Sequence, residues 1–99
     1  MEDRERLILL FDYYENLLTD AQKSYFKDYY FDNLSLAEVS ENNDVSRNAV
    51  SKDLKLTVEK LNSYEEKLGL MKKDKKLRKL VDKISDTNLK EEIIKLLDE

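Results

Sequence analysis

The chain has no cysteine, no histidine, no proline and no tryptophan, and only one glycine, Gly69, in 99 residues. Without cysteine there is no disulfide framework and no thiolate metal site. Without histidine or cysteine, most acid–base and nucleophilic constellations are excluded, so the chain is expected not to be an enzyme. No glycine-rich phosphate loop can be built, and no cofactor is implied. No charge-free apolar run approaches the length of a membrane span. The start, MEDRER, carries both signs of charge. Asp12 interrupts the short apolar run Leu7 to Phe11 that follows it, which is not a signal-peptide core. These absences lead to the expectation of a cytoplasmic protein.

What is present is charge and helical periodicity. Charged residues make up 40% of the chain, and with no proline this is the composition of an all-α protein. The net charge of −4 hides an uneven distribution. Residues 1–45 carry net −7, residues 46–83 net +6, and residues 84–99 net −3. Binding follows local potential rather than the total.

The stretch from Leu34 to Leu56, LSLAEVSENNDVSRNAVSKDLKL, predicts two short helices around a tight turn. Ser35 followed by Glu38 is a capping box. Leu36 and Val39 give the helix an apolar face, and Ser40 is small where two helices must approach. Asn42-Asn43-Asp44 is expected to break it, since Asn and Asp tolerate left-handed backbone. Asp44 stands where many such turns have glycine. Val45 fills the corner, Ser46 caps the next helix, and Val50 and Leu54 turn inward. The pattern is a helix-turn-helix, whose second helix enters a nucleic-acid groove.

Around this motif the chain reads as a bundle of about five to six helices with a long helix after the turn. A first helix spans Arg4 to Leu18, with Leu7, Leu10, Phe11, Tyr14 and Leu17 or Leu18 at helical spacing. Its apolar face is wide enough to be central to the fold or to pack on a second subunit. Thr19 and Gln22 form another capping box and open a helix to about Phe31. Eight of the nine aromatic residues lie in residues 1–31 and read as core rather than as base-stacking groups, because Asp28 and Asp32 sit among them. From Ser46 a stripe of Val50, Leu54, Val58, Leu61, Tyr64 or Glu65, and Leu68 runs to Gly69. Met71 to Ile84 is a basic helix with a narrow apolar edge of Leu77, Leu80, Val81 and Ile84. Ser85-Asp86-Thr87 leads to a short last helix lined by Leu89, Ile93, Leu96 and Leu97. The organisation is thus a helix-turn-helix domain over residues 1–69 and a basic helix with a short C-terminal helix over 70–99.

The candidate nucleic-acid-binding residues are Arg47, Asn48, Ser51, Lys52 and Lys55, which face outward when Val50 and Leu54 face the core. Arg and Asn in the first turn suit guanine and adenine edges, whereas Lys52 and Lys55 suit phosphates. Lys72, Lys73 and Lys76 on the basic helix supply a second patch for an RNA or DNA backbone or an acidic protein. A membrane surface ranks last, because that helix lacks Trp or Phe anchors.

The segments LLFDYYENLLTDAQKSYFKDYYFDNLSLAEVSE and VSRNAVSKDLKLTVEKLNSYEEKLGL resemble the YlxM-like bacterial proteins, small helical proteins with a helix-turn-helix similar to that of sigma-factor region 4. The resemblance covers about residues 5–72. It implies a homodimer and a role near the signal recognition particle, through its RNA or its GTPase. In the recognition helix, Asn48, Ser51 and Lys52 depart from the SRQAV-then-Tyr-Asp pattern of many members, and Leu56 stands where a basic residue is common. Two readings follow: a nucleic-acid-binding regulatory protein, or a non-catalytic adaptor that meets the particle GTPase through its acidic helical surface.

Overall fold

A computed structural model describes residues 3–99. Met1 and Glu2 of the charged start lie outside the described residues. Six α-helices follow in order: α1 Arg4–Tyr14, α2 Asp20–Phe26, α3 Leu36–Asn43, α4 Arg47–Leu68, α5 Leu70–Val81 and α6 Thr87–Leu97. The all-α bundle expected from composition is the fold observed.

The helices begin where side chains can satisfy orphan N–H groups. Asp3 caps α1, Ser46 caps α4 and Asp86 caps α6. Thr19 with Gln22 and Ser35 with Glu38 make complete reciprocal capping boxes at α2 and α3. Each such cap contributes about 1 kcal/mol.

Helix ends depart from the periodicity in instructive ways. The first helix does not run to Leu18 as α-helix. It tightens into a 3-10 turn at Glu15–Leu17, which leaves Leu17 exposed and drives Leu18 inward. The second helix ends its α-geometry at Phe26 and widens into a π-type turn over Lys27–Phe31, where the Asp32 N–H donates to the Lys27 carbonyl at 3.0 Å. Asn42 and Asn43 do not break α3. They remain helical, and the Nδ2 of each donates to Asp28 Oδ2, at 3.0 and 2.9 Å. The break falls on Asp44 alone, which is left-handed at φ 52°. The basic helix starts one residue earlier than periodicity suggests and stops at Val81, three residues before Ile84.

α4 is the spine, packing against α1, α2 and α3. One core cluster joins Leu7, Leu10, Phe11 and Tyr14 of α1 to Leu18, Phe26, Leu61 and Met71. A second joins Tyr25, Val39, Val50 and Leu54 inside the helix-turn-helix. Phe11 and Phe26 stack at 4.5 Å with parallel rings, and Tyr14 and Tyr25 are also buried, whereas Tyr13, Tyr29 and Tyr30 are half-buried and Phe31 is exposed, so the expected aromatic core holds for four of the eight early aromatics. α1 is therefore central to the fold. The inward stripe of α4 is Val50, Leu54, Thr57 and Leu61, with Val58 only half-buried and Leu68 exposed. Thr57 is accommodated because its hydroxyl donates to the Asp53 carbonyl at 2.8 Å.

α5 returns onto α1 through Met71 and Asp74, and α6 packs against α5 through the region of Val81 and Ile94. No residue of α6 is buried, and Leu77, Leu80, Leu89 and Leu96 stay exposed. The molecule is elongated, 54 × 24 × 23 Å.

Candidate nucleic-acid interface

Ser46 fixes the start of α4 by accepting the Ala49 N–H at 3.1 Å. From that start, Val50 is fully buried and Leu54 nearly so, and this sets the rotation of the helix. Arg47, Asn48, Ser51, Lys52 and Lys55 all emerge exposed. At about 100° per residue, Lys52 points straight away from the core, Asn48 and Lys55 lean outward, and Ser51 lies on a flank, whereas Arg47 is close in angle to Leu54 and is exposed because it is the first residue of the helix. Asp53 turns toward the other flank and is half-buried, so its charge does not stand among the cations. The turn that presents this helix is held by hydrogen bonds and packing. The Val45 N–H donates to the Ser40 carbonyl at 3.0 Å, Val45 packs on the second core cluster, and the Ser40 hydroxyl bonds the Ala37 carbonyl at 2.7 Å.

Lys72, Lys73 and Lys76 are also exposed, but the fold keeps them apart from the first group. Thirteen residues of α4 separate Lys55 from the helix end at Leu68, a rise of about 20 Å. The exposed acids Glu59 and Glu66 lie along that interval, where Lys60 is half-buried and donates to Gln22 and the exposed Lys67 stands only at the far end. The basic residues therefore form two patches rather than one track.

Several structural residues went unread in the sequence. Glu65 is half-buried and works as a remote cap. Its carboxylate accepts the Tyr14 hydroxyl at 2.6 Å and the N–H groups of Met71 and Lys72 at 3.0 Å each, at the start of α5 where Gly69 offers no side chain. Burial alone would raise the Glu65 carboxyl. The hydrogen bonds from Tyr14 and the two backbone groups outweigh it and hold it below its ordinary 4.5. Tyr14 is pushed up by burial and by that same acceptor. The Tyr13 hydroxyl donates to Asp74, and burial together with this carboxylate raises it to about 12. Arg78 links Asp74 at 3.1 Å to Asp98 at 2.6 Å, tying α6 to α5. The signal for Glu65 was its place on the apolar stripe four residues before a glycine. A carboxylate there requires donors, and the start of the next helix supplies them.

Among the described residues, no cluster of three or more acidic side chains is placed to hold a metal ion, and no helix is long and apolar enough to cross a membrane.

Over residues 1–99 the sequence matches the family described as "Putative helix-turn-helix protein, YlxM / p13 like" (UPF0122). The chain belongs to this family. It is 47% identical over 83 residues to the UPF0122 protein of Listeria innocua, covering 84% of this chain and 76% of that protein. A Bacillus cereus member is 45% identical over 92 residues, covering 93% of this chain and 84% of the relative. The family description agrees with the geometry of α3, Asp44 and α4.

Proposed function

We propose that this family member is a non-catalytic regulatory protein that binds nucleic acid, DNA or RNA, through the first turns of α4. The observation that carries this reading is the outward presentation of Arg47, Asn48, Ser51, Lys52 and Lys55 while Val50 and Leu54 lock the helix from behind. Arg47 and Asn48 reach base edges, and Lys52 and Lys55 neutralise phosphates. Lys72, Lys73 and Lys76 add neutralisation at the far end of α4. The resemblance to YlxM-like proteins extends the proposal to the signal recognition particle pathway, with the particle RNA as the polyanion, and to a homodimer.

The charge distribution supports a second reading. The first 45 residues carry net −7, and an acidic helical surface could meet the basic RNA-binding part of the particle GTPase. Size-exclusion runs with particle RNA and, separately, with the GTPase separate the two readings. Under the first, the RNA co-elutes, and Arg47→Glu with Lys52→Glu abolishes the complex. Co-elution of the GTPase alone, unchanged by that double variant, overturns it.

A further inference from the structure

The two tyrosines of the π-type turn do not finish in the core. Tyr29 and Tyr30 are both half-buried, and they form one wall of a groove of about 390 Å³ against the flank of α4. The α4 side of that groove offers the Ser51 hydroxyl, the Lys55 ammonium and the Glu59 carboxylate. Leu54 and Val58 make its floor apolar. A second groove of about 310 Å³ shares the same two tyrosines and is lined also by Arg4, Asn33 and Leu34.

In the sequence these tyrosines sit among Asp28 and Asp32, which speaks against nucleic acid. The fold changes their surroundings. Asp28 is turned to Asn42 and Asn43, and Asp32, though exposed, lines neither groove. Lys55 lines one of the two grooves that the tyrosines share and Arg4 the other, so the aromatic pair is accompanied by two cations distant in sequence. The Arg4 guanidinium is anchored on the Tyr30 carbonyl, through Nε at 3.1 Å and also through Nη2, which places its charge beside the tyrosine pair. The rings are held in place: Tyr30 packs on Phe26 at 4.5 Å, and Tyr29 stands edge-on to Tyr30 at 5.0 Å. A π-type turn is an uncommon local geometry that recurs at functional sites, and here it carries both rings.

From this juxtaposition we propose that the Tyr29–Tyr30 grooves bind unpaired nucleotides, so that the protein prefers single-stranded or looped nucleic acid to a continuous duplex. An unpaired base stacks on the Tyr29 face, as bases do on exposed aromatics in single-strand binders. Lys55 and Arg4 hold the phosphates in the two grooves. Glu59 and Ser51 reach the edge of the base, where a carboxylate accepts from the amino groups of adenine, cytosine or guanine and finds no amino donor on uracil. The inference rests on the α4 reading above and adds the class of nucleic acid.

The test compares binding of a short oligoadenylate RNA with binding of a blunt mixed-sequence duplex, by fluorescence anisotropy at one fixed salt concentration. The wild-type protein is expected to bind the single strand at least about tenfold more tightly. Tyr29→Ala should lose that preference, Tyr29→Phe should keep it, and Lys55→Gln, a surface change, should weaken the single strand without disturbing the fold. Tyr29→Leu keeps apolar bulk without a ring and should behave like Tyr29→Ala, which separates stacking from folding. Equal affinity for strand and duplex, with both abolished by Arg47→Glu/Lys52→Glu, overturns the groove proposal and leaves the α4 reading intact. Binding of neither overturns both.

Discussion

Asp44 and Glu65 are two carboxylates with opposite roles in this fold. Asp44 occupies the left-handed corner of the helix-turn-helix at φ 52°, where a Cβ clashes with its own backbone. Such a position costs about 1 kcal/mol relative to glycine. Asp44→Gly is therefore expected to raise the unfolding free energy by up to about 1 kcal/mol, reduced by the greater freedom of glycine in the unfolded chain, and urea denaturation reads it. Glu65 does the reverse: it holds the α4–α5 corner together through Tyr14 and two backbone N–H groups. Because its carboxyl titrates below the ordinary 4.5 in the folded protein, its contribution is fully present above that value. It is lost as pH falls through the depressed folded value. Thermal melts of Glu65→Gln against wild type should converge as the medium is acidified and diverge toward neutrality. Parallel curves at every pH would show that the Glu65 charge has no structural part. At the alkaline end the sign is the other way. Tyr13, raised to about 12, contributes stability that is whole below its ordinary 10.0 and fades as pH climbs through 12. Tyr13→Phe should remove that alkaline loss.

At the scale of elements, α1 and the first half of α4 are fastened by fully buried side chains, whereas α6 buries none. The Arg78–Asp98 pair that ties α6 to α5 is exposed on both sides, so it adds little. Amide exchange should accordingly run fastest in α6 and slowest around Leu10, Phe11, Val50 and Leu61. Removal of residues 86–99 should leave the helical signal of the remainder and its melting temperature nearly unchanged. The same contrast explains what could be read in advance. The capping boxes at Thr19 and Ser35, the Ser46 start and the Gly69 stop are local chemistry, set by a few neighbouring side chains, and each appears where the sequence places it. The 3-10 turn after Tyr14 and the π-type turn after Phe26 are not local. They answer the need to seat Leu18 and Phe26 in the cluster with Leu61 and Met71, residues more than thirty positions away. The outward set Asn48, Ser51, Lys52 and Lys55 was legible for the same local reason, since Val50 and Leu54 face the other way, and Arg47 is exposed because it opens the helix. The company of Arg4 and Lys55 beside Tyr29 was not legible, because nothing near residue 29 announces a partner from residue 4 or 55.

Over the whole molecule, electrostatics is organised by distance along α4. The cations at its start and those of α5 are separated by about 20 Å of helix that carries Glu59 and Glu66 on its exposed side, with the exposed Lys67 only at its far end. A polyanion that touches both patches must pass those acids, so the patches should contribute separately rather than cooperatively. Each lysine–phosphate contact releases counterions and steepens the salt dependence of binding, by roughly 0.7 per contact on a single strand and 0.9 on a duplex. Replacing Lys52 and Lys55 by alanine should therefore lower the slope of log affinity against log salt by about 1.4 on a single strand and about 1.8 on a duplex. Combining these with Lys72→Ala, Lys73→Ala and Lys76→Ala should lower it further by an independent increment. If the α5 substitutions leave the slope unchanged while the α4 pair flattens it, the polyanion ends on α4 and the basic tail serves another contact. If neither set moves the slope, the α4 face does not hold phosphates, and the acidic N-terminal surface becomes the side on which a partner should be sought.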